Sequence, residues 1–536
     1  MTAAPPPVTP ARLKLPIGIQ NLREIREQGY YYADKSGHAV DLFEAGKYYF
    51  LSRPRRFGKS LLLDTFKELF EGNRSLFQGL AAEPRWDWSR RHPVIRISFG
   101  SGVSLSGSVA TTPAERLAQR IRENLRINRE ALGLLRPADL PEDDLPGNLA
   151  DLIRQAHRSR GERAVVLIDE YDKPILDHIT NAEAARTLRD GLRDLYATLK
   201  ETDEHLHFVF LAGVSKFSKV GLFSGLNNLQ DITLDARYSA LCGYTDTDVD
   251  TVFAPELPGL DRDEIRRWYN GYNWLGESVY NPFDVLLLFQ RREFRPYWFE
   301  TGTPTFLIDL LMAQQRFTPD LNRSVATESL LSTFDVDTMP AEALMFQAGY
   351  LTIASAWRIP GRLELTLRYP NLEVQASLND CLLQSLTGGP SVPGPQVSRL
   401  YRLLQAGDLP GMRDLFHAFF AGIPHDWYRK NELAGFEGYY ASIFYSHFAA
   451  LGLDIRVEDT THKGRIDMAV LFGEAVYLFE FKVVDLLPQG RALQQIKDKA
   501  YADKYLARGE PVHLVGVEFS RADRNIVGFE VETLRP

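Results

Sequence analysis

The chain reads as an α/β protein, with a parallel-sheet domain and a separate C-terminal α/β domain, and three stretches predict it. Tyr48 to Phe66, YYFLSRPRRFGKSLLLDTF, joins an apolar strand to a helix face through a basic Gly-Lys-Ser turn. Ala164 to Pro174, AVVLIDEYDKP, is an apolar strand ending in two acids. Gly464 to Val483 sets two alternating strands, GRIDMAVLF and AVYLFEFKV, around Gly473-Glu474, with charges built into both.

Length and composition bound what such a chain can do. At 536 residues it exceeds one ordinary domain, and two to four are expected. Hydrophobic residues at 44% and charged residues at 25% are those of a soluble globular protein. No apolar run approaches the roughly 20 residues that span a bilayer, so no membrane partner is expected. The start, MTAAPPPVTPARLKLP, has prolines where a signal peptide needs an apolar core, so residues 1–14 read as a disordered leader. Cys242 and Cys381 lie far apart without metal-ligand spacing, which fits small buried hydrophobes in a reduced cytoplasm. A net charge of −8 argues against coating nucleic acid by bulk charge but leaves room for a local basic groove.

In chain order, Pro16 to Lys35 either packs against a nucleotide base or simply packs the N-terminus. Tyr48 to Leu51 is a buried strand, and Leu61, Leu62, Leu63 and Phe66 form one face of the following helix. The turn between them, Arg53 to Ser60, has the form of a P-loop, although the motif asks for Gly where Arg53 stands. Backbone from Arg56, Phe57 and Gly58 into Lys59, Ser60 and Leu61 would cradle a polyphosphate at the helix N-terminus. Lys59 would reach the β/γ oxygens and the Ser60 hydroxyl would hold Mg²⁺. Gly72 would cap that helix. Pro93 to Phe99 is a second strand, Gly100 to Thr112 a Gly/Ser-rich mobile loop, and helices follow around Pro113 to Leu132 and Asn148 to Arg158.

The strand from Ala164 is apolar on both faces, as in a parallel sheet, and ends where such sheets bind ligands. Alone it would equally suit a buried strand capped by surface acids. After a Gly-Lys-Ser turn it reads as a Walker B strand, with Asp169 in the Mg²⁺ shell and Glu170 polarising the attacking water. His207 to Ser215 is a further strand that would bring Ser215 near the γ-phosphate, and Asp231 to Leu234 could add a short fifth.

On the strings PIGIQNL, YYYADKS, FLSRPRRFGKS, VVLIDEYDKP, LAGVSKFSKVGLFSGLNNLQDITL, WYNGYN and YNPFDVL, the chain resembles the AAA-ATPase-like family over roughly residues 15–300. That family commonly carries arginine at the first P-loop position, which Arg53 matches. The resemblance implies an ATP-binding core over residues 15–244 and a small helical lid over 245–300, with Thr245 as an N-cap. Arg262, Arg266 and Arg267 are the lid arginines available as a finger, and ordinary surface charge accounts for each as well. From Pro296 to Leu311 the chain is aromatic and helix-prone. Met345 to Ala354 and Arg362 to Asn371 then turn to strands, so residues 301–384 read as a mixed α/β, winged-helix-like connecting module. Such a module could touch DNA, although packing between domains is the blander role. Thr387 to Pro395, TGGPSVPGP, is a linker.

In the C-terminal hairpin, Glu480 and Lys482 are two apart and share a face with Leu478, while Phe479 and Phe481 point the other way. Asp467 on the partner strand can join them, and Glu437, on a helix over Asn431 to Leu451, could reach the cluster. Acids so gathered hold one or two Mg²⁺ or Mn²⁺ ions, and a lysine orients the nucleophile or offsets charge on the phosphorane. A surface hairpin with solvated charges is the alternative, but apolar neighbours make such charges costly unless they are paired or metal-bound.

GRIDMAVLF, YLFEFKV and ALQQIKDKAYADKY resemble the PD-(D/E)xK nuclease superfamily over about residues 385–530, which sets the last domain at 385–536. The match gives Asp467, Glu480 and Lys482 the core catalytic positions, Glu437 the helical acidic one, and Gln495 a glutamine near the site, with Tyr501 as packing. Ile466 stands where the superfamily's proline would be. Val512 to Ser520 would be a further core strand. The combined expectation is an ATPase that controls a metal-dependent nuclease acting on DNA or RNA in the cytoplasm. The alternatives are an ATP-dependent switch or scaffold with a silent nuclease fold, and a sensor that assembles into a homo-oligomer on ATP.

Overall fold

The computed structural model describes residues 12–100, 112–216, 228–301, 324–331, 340–386, 393–423 and 437–535, and positions 222, 223, 225, 226, 307, 308, 310, 311 and 321. The expected leader up to residue 11, the loop at 101–111, linker residues 387–392 and the helix start at 431–436 lie outside them. The chain divides into two compact units. One is Met1–Trp298 with Val325–Asn371, and the other is Phe299–Ser324 with Leu372–Pro536.

In the first unit, β1 (Tyr48–Ser52), β2 (Val94–Ser98), β3 (Ala164–Asp169), β4 (Leu206–Gly213) and the short β5 (Gln230–Asp231) form one sheet in the order β2-β3-β4-β1-β5. Every pairing is parallel, and β4 lies between β1 and β3. Full burial of β1 and β3 follows, because helices cover both faces. On one face, Phe66 of helix Lys59–Phe70 packs edge-on to Phe210 and Phe208. On the other, helices Pro113–Leu132, Leu145–Arg160 and Ala182–Glu201 bury Ile121, Leu152, Ile153 and Leu192. Thr112 and Glu115 close a capping box at the first of these, and Asp144 caps the second.

The next helical segment begins at Thr245, whose hydroxyl and Asp248 form a second capping box. Helices Asp246–Thr251, Arg262–Tyr269 and Pro282–Arg291 share a core with Tyr31 from the N-terminal segment. That segment ties two elements together. Tyr31 donates to Glu256 at 3.0 Å and Lys35 pairs with Asp248 at 2.7 Å, while the Leu22 N–H donates to Asp64 on the helix after the P-loop.

The middle stretch is shared between the units. β6 (Val325–Thr327), β7 (Thr352–Ile359) and β8 (Arg362–Arg368) form an antiparallel sheet in the order β6-β8-β7 within the first unit, and helix Leu372–Leu386 belongs to the second. One expectation fails here. Met345 to Ala348 continue helix Ala341–Ala348, and the strand starts only at Thr352. The Ala, Leu and Met of AEALMFQA are strong helix formers, and Gly349 at φ +94 stops the run.

In the second unit, β9 (Asp454–Thr461), β10 (Gly464–Phe472), β11 (Ala475–Val484), β12 (Val512–Ser520) and β13 (Asn525–Leu534) form a sheet in the order β13-β12-β11-β10-β9. Only the β11–β12 pair is parallel. The hairpin closes at Phe472↔Ala475 around Gly473, whose φ is +58. Phe479 and Phe481 face helices Leu409–Ala421 and Glu437–Ala450, while Leu478 faces helix Arg491–Asp498 with Ile496, Tyr501 and Tyr505.

Candidate functional site

At the end of β1 the turn passes Arg56 at φ +70 and Gly58 at φ +87, and the helix starts at Lys59. Lys59 is buried, and its ammonium donates to the carbonyls of Arg53 and Pro54, both at 2.9 Å. Burial lowers the Lys59 pKa, opposed by Asp169 first and then by Asp172 and Glu170. Ser60 and Leu61 are half-buried in the first turn, and Arg56 lies exposed over the Phe283 ring. Phe57 is buried edge-on against Tyr272 and Trp274, so only its backbone is left for a phosphate.

Arg53 explains itself. It is fully buried, not at a positive φ, and points into the protein. Its guanidinium donates to the carbonyls of Ser52 (2.8 Å), Thr233 (3.0 Å) and Tyr238 (3.0 Å) and lies 4.0 Å from the Trp274 ring centroid. Burial brings its pKa down to about 10. A position that in many P-loops needs glycine here carries a strut.

Across β4, Asp169 is buried with Oδ1 free of any hydrogen-bond partner and Oδ2 3.9 Å from Arg96. Glu170 sits at φ +51, and burial followed by Asp169 raises its pKa, which suits a proton-accepting role. Ser215 follows β4 and is held by Asp172, whose Oδ2 accepts from the N–H of Val214 (3.0 Å), the N–H of Ser215 (2.6 Å) and the Ser215 hydroxyl. The Tyr171 hydroxyl donates to the Ser215 carbonyl at 2.8 Å. An orphaned acid, a buried lysine and a helix N-terminus suit a nucleotide polyphosphate with Mg²⁺. Sequence reasoning missed Arg96 and Asp172. A lone arginine inside PVIRISF was the available signal for Arg96, which bonds Asp64 (2.9 Å) and the Ser60 carbonyl (3.3 Å). The three arginines available as a finger are all engaged: Arg262 with Asp246 and Asp250, Arg266 with Asp246 and Asp263, and Arg267 with Glu264.

The second unit gathers its own acids. Backbone pairing of β10 with β11 stops at Met468↔Phe479, and the Asp467 carboxylate takes over by accepting the Phe481 N–H at 2.8 Å. The β9–β10 ladder also skips Asp467, opposite Glu458 at φ +48. Glu480 is 1% exposed, so the cost of its charge depends on its partners. Its Oε1 accepts from Lys482 at 3.3 Å and from Gln495, while Oε2 has no partner. Lys482 also donates to the Phe481 carbonyl at 2.9 Å and lies 3.7 Å from Glu437, which meets the cluster through this lysine. Burial and then Asp467 push Glu480 up to about 8, and burial pushes Asp467 up to about 6. Burial alone would lower Lys482, but Glu480, Glu437 and Asp467 more than offset it and its pKa is raised. An orphaned carboxylate oxygen beside a second raised carboxyl suits a divalent cation. Mg²⁺ commonly takes one or two carboxylates and keeps several waters. Among the described residues, no group of three or more His, Cys, Asp or Glu is arranged to hold a metal.

Comparison with known proteins decides the family. Residues 16–223 match the family described as "Predicted AAA-ATPase", and residues 435–529 match the PD-(D/E)XK nuclease superfamily. A protein of Azotobacter chroococcum mcd 1, described as "Uncharacterized protein in vnfD 5'region", is 63% identical over 525 residues, covering 98% of this chain and 100% of that one. The chain belongs to the AAA-ATPase-like family and ends in a PD-(D/E)XK nuclease superfamily domain. No solved structure matches it.

The nuclease-superfamily domain holds one more residue that sequence reasoning missed. Glu518, buried on β12, accepts the N–H groups of Gln489, Gly490 (3.1 Å), Arg491 (2.6 Å) and Ala492 (3.3 Å). Its carboxylate thus fills the N-terminus of helix Arg491–Asp498, which carries Gln495 to Glu480. An acid inside the mostly apolar VHLVGVEFS was the available signal. Beside Gln495 opens a groove of about 490 Å³ lined by Arg491, Gln494, Asp498 and Lys499. Tyr501 packs in the core with Ile466 and Leu478. No helix among the described residues is long and apolar enough to cross a membrane.

Proposed function

We propose that ATP binding and hydrolysis in the first domain control a metal-dependent phosphodiesterase in the last, which cleaves DNA or RNA. The observation that carries the nuclease half is the partnerless, buried Glu480 Oε2 beside Asp467, with Lys482 bonded to the other oxygen. A divalent cation bound there supplies Lewis-acid stabilisation of the phosphorane and a more acidic bound water. Asp467 and Glu480 would hold it, with Glu437 and the Phe481 carbonyl at the margin. Lys482 would orient the water or hold charge on the phosphate, Gln495 would fix the rotamer of Glu480, and Arg491 and Lys499 would receive the flanking phosphates.

In the ATPase-like domain, backbone N–H groups from Arg56 to Leu61 and the Lys59 ammonium would bind the polyphosphate. Ser60 and Asp169 would hold Mg²⁺, Glu170 would accept a proton from water, and Ser215, fixed by Asp172, would sense the terminal phosphate. Coupling is supported by Trp298. Its indole N–H donates to the Arg55 carbonyl of the P-loop at 3.1 Å, and it is the last residue before the chain passes into the second unit.

A second reading, an ATP-operated switch with a silent nuclease fold, draws on the absence of a three-acid metal group among the described residues. Two tests separate the readings. Lys59→Ala is expected to abolish ATP binding measured by calorimetry, and unchanged affinity would remove the P-loop assignment. Single- and double-stranded DNA and RNA, incubated with wild-type protein, Mg²⁺ or Mn²⁺ and ATP, are expected to be degraded; a panel left intact hands the chain to the switch reading.

A further inference from the structure

The antiparallel β6-β8-β7 sheet has one face turned into the core, with Ala326, Ile353, Leu365 and Leu367 buried. Its other face carries an unusual pair. Trp357, opposite Glu364 in the β7–β8 register, is 73% exposed, and Val325, opposite Thr366, is 59% exposed. An indole carries apolar area that folding ordinarily hides, so one left in water at a sheet surface calls for a partner.

The neighbours of Trp357 state the chemistry of that partner. Arg362, on the same face and diagonal to Trp357, is exposed, with side chains about 7 Å apart at that spacing. Arg358 follows Trp357 at the hairpin end, before the Pro360-Gly361 turn, and Arg368 lies further along β8, both exposed. None of the three guanidinium groups makes an ion pair or side-chain hydrogen bond among the described residues. By contrast, the lid arginines are each bound to a carboxylate. A flat aromatic surface with one free guanidinium diagonal to it, a second at the hairpin end and a third further along β8 fits a polyanion that also offers flat rings. A base stacked on the indole with its flanking phosphates on the arginines uses both kinds of group at once.

We propose that the exposed face and hairpin end of this sheet bind single-stranded nucleic acid, with a base stacked on Trp357 and flanking phosphates on Arg358, Arg362 and Arg368. A single strand is specified because duplex bases are stacked on one another and present only their edges. The inference takes its ligand class from the nuclease reading, and it adds a binding surface in the other unit that the catalytic residues do not supply.

The test uses the full chain in EDTA, so that nothing is cut, with a fluorescein-labelled oligodeoxynucleotide of about 20 residues and its duplex as probes. Trp357→Ala is expected to weaken single-strand binding at least about fivefold, the low end for one stacked base, with Trp357→Phe recovering most of it. The duplex is expected to bind the two alike. Arg358→Ala with Arg362→Ala is expected to lower the slope of log affinity against log salt by about 1.4, at roughly 0.7 per single-strand phosphate contact. Because these side chains are exposed, thermal unfolding should not move. Wild-type affinity and salt slope in both variants would overturn the proposal, as would no binding by wild type, or loss of self-association in place of strand binding. Trp357-dependent binding with no cleavage in Mg²⁺ or Mn²⁺ would sink the nuclease reading and leave this surface standing.

Discussion

Arg53 is the residue on which the phosphate turn leans. Three backbone carbonyls and the Trp274 ring receive its buried guanidinium, so the turn is anchored to residues 233–238 beyond β5. Arg53→Ala removes all of these donors at once and leaves buried acceptors unpaired. A loss of about 3 kcal/mol or more in stability is expected, read as a fall in the thermal midpoint, together with weaker ATP binding. The other telling residue is Glu480. Its pKa stands near 8 against an ordinary 4.5, so between those values the native state holds more protons than the unfolded chain. Stability without metal therefore falls as pH rises across that window. A divalent cation held by Asp467 and Glu480 would have to displace the protons that these two raised carboxyls retain, so its affinity is expected to rise with pH until both are ionised. Mg²⁺ or Mn²⁺ titrations followed by calorimetry at several pH values check the sign, and an affinity independent of pH would contradict it.

Among elements, legibility followed burial. β1, β3, β4, β11 and β12 were readable because strands buried on both faces are continuous or alternating apolar runs. β9 and β13 were not, since they are the edges of their sheet and their polar residues, as in DIRVEDTT, face water. The Gly-Lys-Ser turn and the Glu-x-Lys spacing pointed to candidate site residues, yet Arg96, Asp172 and Glu518 escaped because each acts through partners distant in the chain. Glu518 joins strand to helix: four N–H groups on one carboxylate set the helix that holds Gln495 against Glu480. Glu518→Gln loses an acceptor and the favourable charge at that helix end. Metal affinity at the Asp467–Glu480 pair is expected to fall about tenfold, as outer-shell changes do, while ATP affinity stays put.

At the scale of the whole molecule, two candidate sites sit on one chain, one in each unit. The Arg55 carbonyl in the Gly-Lys-Ser turn is held by Trp298, and the next residue belongs to the unit that carries Asp467 and Glu480. Middle residues 325–371 return to the first unit and present Trp357 and its arginines, before the chain re-enters the second at Leu372. That interleaving was not legible in the sequence, because a single continuous middle module and two crossings share the same pattern of local elements. The most direct measurement is cleavage of DNA and RNA in Mg²⁺ with and without ATP, by wild type and by Asp467→Ala, with ATP hydrolysis followed in the same tubes. ATP-dependent cleavage by wild type, and none by Asp467→Ala while its ATP hydrolysis persists, is the expected result. Cleavage by Asp467→Ala equal to wild type, or none by either protein, would contradict it.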